Sequence, residues 1–360
     1  MRVKSIEIWR LLFSISIVLC HAELLPWNVG ADGIRHINAS TQGVEFFFLL
    51  SGFLMAQSVY REKQISPSLE NLGGDTISFL MRKMKPIFPA YLFASAFELA
   101  IHYFLRFKKP SGVIFRIWDI LFLRATGLGY GRPMAVGGSW YLSAMFIAMW
   151  ILYPLLKRYT NVFTHVIAPL SALFIFGWFE WKHGHINFAL SIQNGICLGL
   201  LRAISVMCLG MFCYELCEKL KHNFTDNKPS VFITASELLS LGGILYITTQ
   251  VRRTKADFLC IILIGIGIIA AFSGKSYTNV WLKNVNNNII SWMSSYSLAL
   301  YLNHYVWLNT FADWKPAIPY WTEFSIYISL SLLTALVCLM TVQGFQKIIK
   351  NINSNRTRII

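Results

Sequence analysis

Apolar residues along this chain gather into runs about as long as a membrane is thick, separated by short polar stretches rich in Lys and Arg. The runs lie near 8–27, 43–60, 86–105, 139–156, 163–180, 198–217, 231–249, 257–273, 288–309 and 322–346. A helix crosses a hydrocarbon core of about 30 Å in about 20 residues, so each run predicts a transmembrane helix whose ends are fixed to about four residues. The pattern predicts an all-α, polytopic integral membrane protein with about ten transmembrane helices. A further apolar stretch, Ile114–Leu123, is too short to cross and carries Arg116, Asp119 and Arg124. Crossing there would bury charge, so it reads as a short interfacial or re-entrant segment. No repeat or low-complexity tract divides the chain, which reads as one membrane domain over 1–350 and a tail at 351–360.

Composition agrees with lipid as the solvent. Of 360 residues 55% are hydrophobic and 14% charged, with a mean hydropathy of +0.52, too little charge to cover a soluble surface. The first run is kept as a span rather than a signal peptide, because no small-residue cleavage site follows His21. The seven cysteines have no Cys-x-x-Cys spacing, lie mostly in apolar runs and read as packing residues.

The net charge of +15 is a topology signal and not a nucleic-acid footprint. Threading the runs through a membrane puts Arg2, Lys4, Arg82, Lys83, Lys85, Lys157, Arg158, Lys219, Lys221, Lys228, Lys275, Lys283, Lys347 and Lys350 on one side. That side is expected to be the cytoplasm, with both chain ends in it; Arg252, Arg253 and Lys255 are left outside as exceptions.

Ionisable residues inside the spans are the candidate chemistry, since lipid makes them costly. Arg10 and His21 are eleven residues apart in the first span, which returns them to nearly one helix face and separates them by roughly 16 Å. Either this seam faces a cavity, or His21 hydrogen-bonds a neighbouring helix while Arg10 snorkels to headgroups. Glu45 opens the second span at a depth approaching that of His21, where it either orients the imidazole as a base or makes a structural interfacial bond. Ser51 and Gly52 either line a substrate path or serve helix packing.

Arg82, Lys83 and Lys85 precede Pro86 and Pro89, placing cations beside irregular backbone suited to phosphates; the alternative is a simple membrane anchor. Trp140, Tyr141 and His304 are further cavity-lining candidates, with His304 ranked behind His21 and interfacial anchoring the alternative for the aromatics. His183 and His185 lack metal-ligand spacing, and no metal site is expected.

In order and spacing these segments resemble the membrane-bound acyltransferase 3 family, over most of the chain. The family pairs an Arg and a His eleven positions apart in the first span, as Arg10 and His21 are. Its G-V-[D/E]-x-F-F-x-x-S-G-F run is matched by GVEFFFLLSGF. Its K-R-x-x-R-I-x-P-x-Y segment is matched in part by Arg82, Lys83, Ile87, Pro89 and Tyr91. Its W-[YF]-L-S segment stands at Trp140–Ser143, and its late S-Y-S-x-Y-L-x-H pattern appears, with two residues inserted or shifted, as SSYSLALYLNH. Pro86 stands where the family usually has Arg.

The resemblance implies an acyltransferase, specifically an O-acetyltransferase, of the bacterial inner membrane. It implies an acyl-CoA co-substrate, acetyl-CoA above all, and no permanently bound cofactor. The acceptor it implies is a hydroxyl of a cell-envelope glycan such as lipopolysaccharide, or of its lipid-linked precursor. Arg10, Arg82, Lys83 and Lys85 would hold the donor's phosphates while its pantetheine arm runs up the seam. His21 would act as base or acyl carrier, with Glu45 orienting it. The alternative of another class is a transporter or flippase for lipid-linked sugars or small molecules, for which a similar number of spans would be equally natural.

Overall fold

The computed structural model describes residues 3–29, 36–37, 42–65, 70–105, 116–131, 136–223, 228–250 and 253–356. Arg2, Ile114, Arg252, the Lys350 side chain and residues 357–360 of the expected tail lie outside the described residues.

Helices make up nearly all of the structure. In chain order they are α1 (Lys4–His21), α2 (Gly43–Ile65), α3 (Leu72–Met84), α4 (Phe88–Phe104), α5 (Ile117–Ile120), α6 (Ser139–Arg158), α7 (Thr160–Val162), α8 (Ala168–His183), α9 (Leu198–Asn223), α10 (Val231–Gln250), α11 (Ala256–Phe272), α12 (Tyr277–Trp281), α13 (Asn287–Asn303), α14 (Tyr305–Trp314) and α15 (Tyr320–Arg356). A π turn at Phe163–Ile167 joins α7 to α8. Seven of these spans are long and apolar enough to cross a membrane, and eight when α3 and α4 count as one bent span. Two more expected runs are α11 and α13, each only 17 residues long, at the lower end of the crossing range. The outward residues are what lipid accepts: Phe174 and Leu239 are 75% and 74% exposed.

The entry to α4 is broken at Lys85–Ile87, where Pro86 and Pro89 deny backbone donors and the axis turns by 57°. This makes α3 a separate helix whose last turn carries Arg82 and Lys83, at the end where the helix dipole favours cations. Its apolar side packs on α6, Phe79 stacking on Tyr153 at 4.2 Å.

The segment before α6 is partly exposed, with Ile117, Leu121 and Tyr130 at 46%, 51% and 60%, but it turns its charges inward. Asp119 and Arg124 are 1% and 3% exposed. Asp119 accepts from Ser139 Oγ at 2.9 Å, and Arg124 lies 3.7 Å from its carboxylate. Ser143 donates to the Phe122 carbonyl (2.7 Å) and accepts from the Ala125 amide (2.8 Å), so the serine of the Trp-Tyr-Leu-Ser segment pins this re-entrant turn. The burial expected to be prohibitive is met because each charge has a partner within the protein.

Two helix pairs form the centre. α2 and α9 run in the same direction and cross at two glycines: a Cβ on Gly52 would stand 2.1 Å from the Met207 carbonyl oxygen, and one on Gly210 2.1 Å from that of Leu49. Gly52 therefore serves close helix packing. α1 and α13 are also parallel. Ser14 meets Ser297 with oxygens 2.7 Å apart, and seven residues further along both helices His21 meets His304. The described strands are β1 (Ile192–Gln193) and β2 (Ile196–Cys197), a hairpin turned by Asn194 and Gly195 at φ 50° and 79°. All seven cysteines are buried and free, as packing residues are.

Candidate active site

The chain of the site begins at the carbonyl of Tyr301. A carbonyl only accepts, so His304 Nδ1, 2.7 Å away, carries a hydrogen. In a neutral ring that leaves Nε2 bare, and this nitrogen lies 3.0 Å from His21 Nδ1. His21 Nδ1 must then be the donor, and the Ile17 carbonyl one turn back is a second acceptor for the same ring. The remaining nitrogen, His21 Nε2, keeps its lone pair. The two rings stack with centroids 5.0 Å apart, and Tyr305 presents its ring edgewise to His21 at 5.3 Å.

Two neighbouring glycines make this arrangement possible. A Cβ on Gly137 would lie 2.0 Å from the Tyr305 ring, and one on Gly138 3.0 Å from that of Tyr301. Tyr301 also donates from its hydroxyl to the Gly138 carbonyl at 3.0 Å, tying α13 to the start of α6.

Glu45 does not orient His21. It is fully buried and forms an ion pair with Arg202 of α9, whose Nε donates to it at 2.6 Å and whose Nη2 faces the same oxygen. Arg202 Nη1 donates to Asn187 Oδ1 (3.2 Å) and the Phe188 carbonyl (2.9 Å), and its guanidinium lies 5.5 Å over the Trp140 ring. Asp257, at the start of α11, acts electrostatically on both members of the pair. A carboxylate buried in a membrane protein takes the strongest cation within reach, and a guanidinium that brings two nitrogens to it outweighs an imidazole. The orienting role expected of Glu45 is taken in the structure by His304.

At the other end of α1, Arg10 pairs with Glu7 at 3.3 Å and is 29% exposed on its side chain. Lys83 lies in the field of Arg10 and Arg82, and its ammonium is 5.4 Å over the Phe79 ring. Arg82 is bound to Glu62 at 3.0 Å, a carboxylate that also accepts from Tyr153 at 2.7 Å. Lys85 is exposed beyond the end of α3. Three of the four expected phosphate ligands thus share one electrostatic cluster, partly balanced by Glu7 and Glu62.

Tyr141 is coupled to both ends, to Arg10 electrostatically and to Tyr301 by ring contact at 5.7 Å. Tyr301 holds His304, and His304 holds His21. Ser51 and Tyr141 both donate to the sulfur of Met145, each at 3.4 Å. Trp140 points instead toward Arg202.

Arg202, Asn187, Asp257 and Glu62 were not singled out from the sequence. Arg202 carried a usable signal, a lone arginine inside an apolar run and as costly there as Glu45. Its partner was not legible, because 157 residues separate the two.

A family model described as an acyltransferase domain, acyltransferase 3, matches residues 3–342. No curated protein and no solved structure shows significant similarity to the chain. The fold and the match together define the class: the chain belongs to the acyltransferase 3 family and is a multi-pass membrane acyltransferase, with an acyl donor and an acceptor as its substrates.

Proposed function

We propose that the protein moves an acetyl group from acetyl-CoA to a hydroxyl of a cell-surface polysaccharide, or of its lipid-linked precursor, at the inner membrane of a bacterium. Both chain ends would lie in the cytoplasm, where acetyl-CoA is made, since most of the Lys and Arg residues between spans fall on that side. The observation that carries the reading is the hydrogen-bond chain from the Tyr301 carbonyl through His304 to His21, which leaves a lone pair on His21 Nε2.

Arg10 and Lys83, with Arg82 and Lys85, bind the donor's phosphates at the basic end. The pantetheine arm runs past Tyr141 toward His21, a rise of roughly 16 Å along α1. His21 Nε2 takes the proton of the acceptor hydroxyl while its oxygen attacks the thioester carbonyl carbon. The C–S bond breaks, and the proton held by His21 passes to the departing sulfur, so no charge is left behind. During transfer the imidazolium keeps its Nδ1 hydrogen on His304, which stays neutral. Glu45, Arg202 and Trp140 hold α2, α6 and α9 together beside this path.

The test is transfer of radiolabelled acetyl from acetyl-CoA to envelope glycans in membranes carrying wild-type protein or His21→Ala at equal levels. Label that depends on His21 supports the assignment. Unlabelled glycans with well-folded wild-type protein overturn the donor or the acceptor, and near-normal transfer by His21→Ala overturns the role of His21.

A further inference from the structure

A cavity of 540 Å³ opens beside the C-terminal ends of α2 and α6, with Tyr60, Lys63, Gln64, Arg158, Asn161 and Val162 on its walls. Tyr60 is fifteen residues beyond Glu45, about 22 Å along α2, so the cavity is remote from His21 and His304. Its walls supply two cations and no carboxylate. The carboxylates nearest in sequence and space are already engaged. Glu62 accepts from Arg82, Tyr153 and Lys157, and Glu215 accepts from Tyr60 at 3.2 Å and lies 3.1 Å from His165 Nε2. Among the described residues neither Lys63 nor Arg158 forms an ion pair.

Arg158 is held in place from behind. Its Nε donates to the Tyr159 hydroxyl at 3.0 Å, and its guanidinium lies 5.5 Å from that ring's centroid. The two terminal nitrogens remain as a planar fork, the geometry that matches two oxygens of a phosphate. The Lys63 ammonium adds a mobile charge, and the Gln64 and Asn161 amides add neutral donors. The cavity wall itself carries an exposed apolar group, Val162 at 57%, and the neighbouring turns of the chain expose Leu155 and Val166 at 41% and 49%. A cationic cavity at the end of the spans with an apolar lip suits an ester of phosphoric acid better than an isolated anion.

We propose that this cavity binds a phosphate-bearing ligand, its phosphate held between Lys63 and Arg158. Two sources share that chemistry, the headgroup of an anionic phospholipid and the nucleotide of the acyl donor. The cavity shares no residue with the Arg10, Arg82, Lys83 and Lys85 cluster assigned to the donor above, so CoA bound here would occupy a second nucleotide site, and neither occupant involves His21.

The experiment uses the full chain in phosphatidylcholine nanodiscs and reads the thermal midpoint after doping with phosphatidylglycerol or adding CoA. Wild type is compared with Lys63→Gln/Arg158→Gln and with Lys283→Gln/Lys347→Gln, which removes the same charge elsewhere. Replacing charge-assisted bonds to phosphate should weaken the effective ligand about tenfold or more. Stabilisation by phosphatidylglycerol that is lost only in the first variant assigns the cavity to lipid, and the same result with CoA assigns it to the donor. Equal loss in both variants, or no shift of wild type with either ligand, overturns the proposal. Should the first variant not fold, the single variants Lys63→Gln and Arg158→Gln are read in the same way: a shift reduced in both but kept in the control supports the site, and a shift unchanged in both overturns it. Any failure here leaves His21-dependent acetyl transfer intact, so the two readings fail separately.

Discussion

His304 Nε2 lies 3.0 Å from His21 Nδ1, and the same sequence separation of 283 residues joins Ser297 to Ser14 at 2.7 Å. Two polar rungs seven residues apart fix α1 and α13 in parallel register, the spacing at which facing helices keep one seam in contact. The lower rung sets the register, and the upper one sets the proton on the imidazole.

If His304 holds His21 as the Nδ1–H tautomer, a side chain that still accepts at the Nε2 position should keep part of the function. His304→Gln can accept the His21 hydrogen with its amide oxygen, whereas His304→Ala leaves that donor unpartnered. The expected result is a loss in kcat of about 10²- to 10³-fold for His304→Ala with little change in the donor KM, and clearly smaller loss for His304→Gln. Equal loss in both variants would mean that His304 acts through packing alone.

The lower rung is a stability element. Ser297 also donates to the Arg10 carbonyl at 2.9 Å, so Ser14→Ala and Ser297→Ala should not add. Hydrogen bonds between membrane helices couple by about 0.6 kcal/mol, and the double-mutant cycle in denaturant should return a coupling of about that size. A coupling of zero would show that the two hydroxyls are satisfied independently.

How much of this was legible varies by element. Long apolar runs announced the spans because lipid demands continuous helix, and His21 and Arg10 stood out because charge there is expensive. Helix α3 went unseen: it is amphipathic, and the Pro86 break hid it behind the run that follows. The hairpin at Ile192–Cys197 also went unread, although its Asn194-Gly195 pair is a turn signal. The partners of His21 and Glu45 were beyond reach for a different reason. Spacing within one helix is fixed by its pitch, but which helices become neighbours is decided by packing across 283 and 157 residues.

The Glu45–Arg202 pair should behave as a structural unit rather than as part of the proton path. Removing one member leaves a buried charge uncompensated, at a cost of about 3–5 kcal/mol. Glu45→Gln and Arg202→Met should therefore each lower unfolding stability strongly, and the double variant should recover part of the loss. The measurement is unfolding in mixed micelles; losses that simply add would show that the carboxylate and the guanidinium do not compensate each other.

The crossing of α2 over α9 offers a sharper contrast, because two glycines in the same protein differ only in what surrounds them. At Gly52 a methyl group would meet the Met207 backbone at 2.1 Å, an atom that cannot turn aside, so the helices must separate. At Gly177, in the middle of α8, nothing lies within 4 Å, and the backbone is already helical. Replacing glycine by alanine removes unfolded-state freedom and favours helix by about 0.4–1 kcal/mol where space permits. Gly177→Ala should therefore raise the thermal midpoint slightly, while Gly52→Ala should lower it by several degrees and reduce the yield of folded protein. The displacement at Gly52 also shifts Glu45 against Arg202 and Ser51 against Met145, so acyl transfer should fall with it. A Gly52→Ala protein as stable and active as Gly177→Ala would mean that α2 and α9 do not approach so closely in the membrane.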